Sequence, residues 1–180
     1  FSGFLDLKDE RSKKMKLSCT FEDNILPDVY AKKAKVQVKG NAVISFPFTI
    51  ENVPEKTKSF AWTFVDYDSI PVCGFAYIHW VVANVSADVT VISEDFSRLD
   101  NKHAHGKNSL VSKLLNEDYS DIDEGYMGPY PPDKDHIYTL TVYALDCELP
   151  LANGFYMNEL LHAMEGHVLA KEKLDLVGKY

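Results

Sequence analysis

A chain of 180 residues that is 46% apolar and 12% aromatic has the size of one ordinary domain and enough apolar content to enclose a core. Its formal charge of −8 weighs against a nucleic-acid partner, because phosphate backbones are held by an excess of Lys and Arg. No apolar run approaches the ~20 residues of a membrane span, so no integral membrane association is expected. Cys19, Cys73 and Cys147 form an odd set without a C-x-x-C pair, which fits a reducing, cytoplasmic setting better than a disulfide framework or a zinc ribbon.

Residues 1–15 carry charges every two or three positions and read as an N-terminal extension without the apolar core of a signal peptide, ahead of a single domain over 16–180. Strand character then recurs at KVQVK (Lys35–Lys39), SFAWTFV (Ser59–Val65), YIHWVVANV from Tyr77, and HIYTLTVYAL (His136–Leu145). Residues Asn101 to Asp135, with the acidic run NEDYSDIDE followed by GYMGPYPPDKD, read as a long surface excursion bordering a site or an interface. NELLHAMEGHVLAKEK, from Asn158, places Leu160, Leu161, Met164 and Val168 on one helical face with Asn158 as cap, predicting a helix that covers one side of the sheets. No long apolar helical stripe precedes residue 155. An antiparallel sandwich is therefore expected in place of βαβ units.

Several motifs invite chemistry and do not sustain it. FAWTFVDYDSI resembles the start of an aspartyl-nucleophile phosphatase, but Pro71 and Gly74 lead into another strand where that chemistry needs a helix. His162 and His167 stand five apart, which on a regular helix separates them by roughly 140°, too far for one metal ion. HAHGKN (His103–Asn108) lacks the first glycine of a phosphate loop and reads as an exposed loop. There is no G-x-S-x-G elbow. No catalytic residue, cofactor or metal ligand is assigned, and the chain is not expected to be an enzyme.

Strict alternation along YIHWVV would point Tyr77, His79 and Val81 one way and Ile78, Trp80 and Val82 the other. His136, Tyr138 and Leu140 would share a face of the late strand.

Five ordered stretches now come together: Asp66-Tyr67-Asp68 with Pro71, IHWVV, GPYPP (Gly128–Pro132), His136-Ile137-Tyr138, and AMEGHVLA. Over roughly residues 16–180 the chain resembles the phosphatidylethanolamine-binding protein family, also called Raf kinase inhibitor-like, with a tail similar to its bacterial members. The resemblance implies a mainly β fold, an antiparallel β-sandwich with Greek-key connections and peripheral helices, including a C-terminal helix. It also implies a pocket for a small anion such as phosphate, acetate or a phosphoethanolamine head group. That pocket would be lined by Asp66, Asp68, His79, the loop residues Gly128, Pro129 and Pro131, His136 and Tyr138.

In such a pocket the two imidazoles and the phenol would donate to the anion, and affinity would rise below neutral pH. The carboxylates would fix a histidine tautomer or receive an ammonium group. Prolines would hold the rim in shape, and the family often has cis bonds in these loops. The partners implied are the small anion, a kinase or protease that the protein inhibits, and a second copy in a homodimer. A hydrolase using the same His and Asp residues, and a dimeric scaffold with a vestigial pocket, are the competing readings. Tyr67 replaces the proline of the usual Asp-Pro-Asp, and Ile70 is an extra residue before Pro71.

Overall fold

The computed structural model describes residues 14–180. Most of the extension expected over residues 1–15 lies outside them. Ten strands follow in chain order: β1 (Lys16–Ser18), β2 (Gln37–Val38), β3 (Asn41–Ala42), β4 (Phe48–Glu51), β5 (Ser59–Asp66), β6 (Tyr77–Ser86), β7 (Val91–Ile92), β8 (Ala104–His105), β9 (His136–Leu145) and β10 (Val168–Gly178). Among the described residues three short α-helices join them, α1 (Ile70–Cys73), α2 (Phe96–Leu99) and α3 (Met157–Ala163), together with three single-turn 3-10 helices.

A five-stranded sheet runs β10-β9-β5-β6-β8 and a three-stranded sheet runs β1-β4-β7, every strand pair antiparallel. The chain passes from β4 in the small sheet to β5 in the large one and back from β6 to β7, while β9 returns to lie beside β5. These are Greek-key links.

The core follows from alternation on β5. Phe60, Trp62 and Phe64 enter the space between the sheets, where they meet Leu17, Phe48, Ile50 and Ile92 of the small sheet. Trp62 packs edge-on against Phe48 at 5.4 Å and against Trp80 at 5.2 Å, arrangements that contribute about 0.5–1.5 kcal/mol beyond the area they bury. Ala61 points the other way and joins Val81, Ala83 and Leu145 beneath Phe155, Leu160 and Met164. Every residue of β5 is therefore buried, and helix α3 closes the outer face of the large sheet.

The C-terminal helix is present but shorter than the apolar spacing suggests. It begins at Met157 with Tyr156 as its cap, whose backbone N–H donates to Glu159 Oε2 at 2.7 Å, and Asn158 lies inside it. It ends at Ala163; Gly166 takes φ +80° and the chain leaves as β10. From Ala170 to Leu176 even-numbered residues are the more buried and odd-numbered ones are exposed, a period of two. Ten registered pairs with β9 hold the segment as a strand, and Leu161 and Val168, which the helical stripe would have placed on the covering face, are exposed.

The segment from Asn101 to Asp135 is less of a surface excursion than its composition predicts. HAHGKN is not an exposed loop: it supplies edge strand β8, and Ala104, His105 and Asn108 are buried. The acidic run also finds its cations from elsewhere, Lys107 reaching Asp123 at 2.7 Å and Glu124 at 2.9 Å, and Lys39 reaching Asp121 at 2.9 Å. KVQVK contributes only the two residues of β2. Every peptide bond among the described residues is trans, those before the rim prolines included.

Candidate functional site

At the end of the large sheet where β5 stops and β9 starts lies a cavity of about 230 Å³. Its wall combines Asp66, Ser69, Val72, Cys73, Tyr77 and His79 with Met127, Gly128, Tyr130, Pro132, His136 and Tyr138, and Asn41. The register explains the convergence: Asp66 is paired with Tyr77 on one side and with Tyr138 on the other, so three polar side chains stand abreast on one face.

His79 arrives by an irregularity. Phe64 is paired with Trp80, and the next residue, Val65, with Ile78, so His79 has no partner across the ladder. This β-bulge breaks the strict alternation expected of YIHWVV. Trp80 enters the core between the sheets, Val81 and Ile78 go to the outer face, and His79 turns inward beside Phe64, Tyr77 and Tyr138. Its ring centroid is 5.1 Å from that of Tyr138, which in turn stands 6.3 Å from His136.

The two histidines differ in state. His79 Nδ1 is 2.8 Å from the Met127 carbonyl oxygen, an acceptor, so Nδ1 carries the hydrogen and donates. Burial pushes the His79 pKa down to about 4 against the opposing effect of that hydrogen bond, so at neutral pH the ring is neutral and Nε2 presents a lone pair. His136 Nδ1 donates to Asp66 Oδ2 at 2.7 Å and Nε2 donates to Asp133 Oδ1 at 2.8 Å. Burial alone would lower its pKa; the bonds to Asp66 and Asp133 overrule that and hold it above the usual value. Both ring nitrogens of His136 are thus committed to carboxylates, the arrangement of an imidazolium, and the ring as placed has no N–H left over for the anion that the resemblance implies.

Ser69 anchors the turn after β5. Its backbone N–H donates to Asp66 Oδ1 at 3.0 Å, and its Oγ lies 2.7 Å from the Asp66 carbonyl and 2.9 Å from that of Phe75 while accepting from the Tyr77 N–H at 3.0 Å. Gly128 is required by close approach: a Cβ there would meet Ala42 Cβ at 2.6 Å and the Tyr30 carbonyl oxygen closer still. Tyr138 is kept a neutral phenol by burial and by the nearby Asp66 carboxylate, which raise its pKa. Burial raises that of Tyr77 as well.

The structure thus brings together Asp66, His79, Gly128, His136 and Tyr138 from the residues singled out in the sequence. Asp68 does not line the cavity; its Oδ2 accepts from the Ile137 backbone N–H at 2.8 Å and fixes the start of β9. Pro129 and Pro131 are buried behind the rim, and the proline that faces the cavity is Pro132. Sequence reasoning missed Asp133, although its place three residues before His136 was a readable signal, and Ser69, whose spacing from Asp66 is that of a capped turn. Asn41 and Met127 carried no local signal.

Fold and cavity together define a β-sandwich protein with a small chamber, lined by polar and apolar side chains, at one end of its larger sheet. The model of the phosphatidylethanolamine-binding protein family matches residues 18–179, and the chain belongs to that family as a member of its bacterial type. It is 44% identical over 157 residues to the uncharacterized protein YxkA of Bacillus subtilis (strain 168), covering 86% of this chain and 94% of that one. A UPF0098 protein of Methanothermobacter thermautotrophicus is 36% identical over 76% of this chain and 82% of its own. The crystal structure of the phosphatidylethanolamine-binding protein homologue CT736 from Chlamydia trachomatis matches with a TM-score of 0.73 at 29% identity, over 94% of this chain and 98% of that one. Escherichia coli YbcL shares the fold, with a TM-score of 0.73 at 24% identity over 93% of this chain and 99% of its own. Among the described residues no helix is long and apolar enough to cross a membrane.

Proposed function

We propose that this protein binds a small phosphorylated or carboxylated group in the chamber beside His79, and that a phosphoethanolamine head group suits it better than a bare anion. The observation that carries this reading is the pairing, in one chamber, of an imidazole whose Nε2 is open with a carboxylate-flanked imidazolium. Among the described residues no Lys or Arg lines the wall, and Asp66, His136 and Asp133 together carry one net negative charge. A bare dianion would meet that charge unaided, whereas a zwitterion can set its ammonium toward the carboxylates and its phosphate toward His79, Tyr77 and Tyr138. At about 230 Å³ the chamber lies below the roughly 300–1,000 Å³ usual for larger ligands, which favours a head group over whole lipid.

Binding is favoured over hydrolysis because no cavity side chain is an activated nucleophile. The Cys73 Sγ–H is directed at the carbonyl oxygens of Ser69 and Phe75, each 3.3 Å away, and the Ser69 hydroxyl is spent on the backbone. A regulatory role, as an inhibitor of a kinase or protease in a reducing cytoplasm, is supported by the apolar rim, where Val72 and Tyr130 are 46% and 66% exposed, and by the family resemblance.

Calorimetric titration at pH 6 with phosphoethanolamine and with phosphate tests the reading. Saturable binding of both is expected, tighter for phosphoethanolamine and lost in His79→Ala. No binding at pH 6, or binding unchanged in His79→Ala, defeats it.

A further inference from the structure

We propose that Asp146, Cys147 and His167 form a binding site for a zinc-type divalent transition-metal ion, at the end of the large sheet opposite the chamber. One donor atom from each of the three lies within 4.8 Å of the other two. Donors on a tetrahedral ion with bonds of about 2.0–2.3 Å stand about 3.3–3.8 Å apart, so small side-chain rotations close the set. None of the three lines the chamber, and nine residue steps of β9 place them about 30 Å from His136.

The backbone holds these residues in place without the ion. Leu145 and Val168 are paired in the β9–β10 ladder, and the Asp146 N–H donates to the His167 carbonyl oxygen at 3.1 Å. The buried Ser59 hydroxyl donates to the Cys147 carbonyl oxygen, and Gly166, at φ +80°, lets the chain turn from α3 to deliver His167. The three ligands thus lie just past the end of β9 and just before the start of β10, where the sheet's hydrogen bonds hold the backbone, which is the preorganisation a metal site needs.

The donor types select the metal. A thiolate and an imidazole with one carboxylate suit zinc or cobalt and not calcium or magnesium, which take oxygen donors. Asp146 and His167 are each nearly half exposed, which leaves a fourth position open to solvent. Without the ion, His167 Nδ1 pairs with Asp146 Oδ1 at 2.9 Å; binding replaces that contact and releases the thiol proton of Cys147. Without the ion, burial first and then the Asp146 carboxylate raise the Cys147 pKa, with Lys58 opposing them; the Lys58 side chain is exposed and long enough to turn into water when a cation binds.

The test loads the metal-free full chain with Co²⁺ and then with Zn²⁺. One equivalent of Co²⁺ should give a thiolate-to-metal charge-transfer band together with tetrahedral ligand-field bands, and Zn²⁺ should displace it and raise the Tm. Cys147→Ser should lose the charge-transfer band, and His167→Ala, a substitution at an exposed position, should weaken Zn²⁺ binding by at least about tenfold. Cys19→Ser should retain both. Absence of the band in the wild-type chain, its survival in Cys147→Ser, or unaltered Zn²⁺ affinity in His167→Ala overturns the proposal.

Discussion

His136 and Asp66 are joined by a 2.7 Å hydrogen bond from Nδ1 to Oδ2, deep at the junction of β9 and β5. Because the other ring nitrogen donates to Asp133 at 2.8 Å, and carboxylates only accept, the ring holds both protons. Of the two imidazoles in the chamber, His79 alone keeps a nitrogen for a ligand.

The His136 imidazolium makes stability depend on alkaline pH. Below about pH 6.5 folded and unfolded chains both carry its proton and the pairing is complete. As pH rises from there the unfolded chain releases its proton first, and the contribution is lost as pH passes the raised folded value. Urea midpoints measured from pH 6 to 9 should fall, and His136→Gln should lack this component. At pH 6 that variant should be less stable by about 3–5 kcal/mol, since Asp66 is left buried without its partner. A wild-type midpoint independent of pH over this range contradicts the charged state.

His79 acts in the opposite direction. Its pKa is pushed down to about 4 in the fold, so between about pH 6.5 and 4 the unfolded chain takes up a proton that the folded one refuses. Acidification across that window should cost about 3 kcal/mol through this group. Comparing the wild-type stability difference between pH 7 and 4 with that of His79→Gln isolates it; equal differences in the two proteins would refute the assignment.

Ligand binding should be coupled to protonation of His79. Sulfate stays fully ionised above pH 4, so any slope in its affinity reports the protein. Affinity should strengthen by up to about tenfold per pH unit below neutrality, since Nε2 must gain a hydrogen before it can donate. Calorimetry in two buffers of unlike ionisation enthalpy should show proton uptake, and a pH-independent affinity from 5 to 8 would count against His79 as the anchor.

The two carboxylates of the DYD stretch should behave differently. Asp68→Asn keeps an oxygen for the Ile137 N–H and lies outside the chamber wall, so ligand affinity should stay within about twofold. Asp66→Asn removes the charge facing His136, whose pKa should drop toward the ordinary value in an NMR titration. Equal effects of the two substitutions on affinity would mean that the chamber extends to Asp68.

Gly128→Ala tests the chamber floor. The added methyl would press on Ala42 and the Tyr30 carbonyl, and relief requires backbone movement, with an expected cost of about 1–3 kcal/mol. Thermal denaturation reads the loss. A neutral substitution would show that the floor yields.

Much of the sheet was readable because β5, β6 and β9 are long enough to express their own alternation and aromatic content. β10 was not, since Val168 at its start continues the helical spacing of Leu160, Leu161 and Met164, and Gly166 and the waiting edge of β9 are what separate helix from strand. The short strands β7 and β8 carry two residues each, too few for any period to show. Within the chamber, Asp66, His79, Gly128, His136 and Tyr138 were found in ordered motifs. Not legible were the departures: Asp68, Pro129 and Pro131 do not line the cavity, and the bulge at His79 sends Trp80 inward beside it without leaving a mark in the residues around it.

By itself the sequence determined the class of the fold and the family, since alternation, turn residues and motif order are local or one-dimensional properties. The tertiary structure alone decided how the two histidines differ. The charge of an imidazole depends on which acceptors reach it and how deeply it lies, and Asp66, Asp133 and the Met127 carbonyl are brought there by strand pairing and loop packing across the chain.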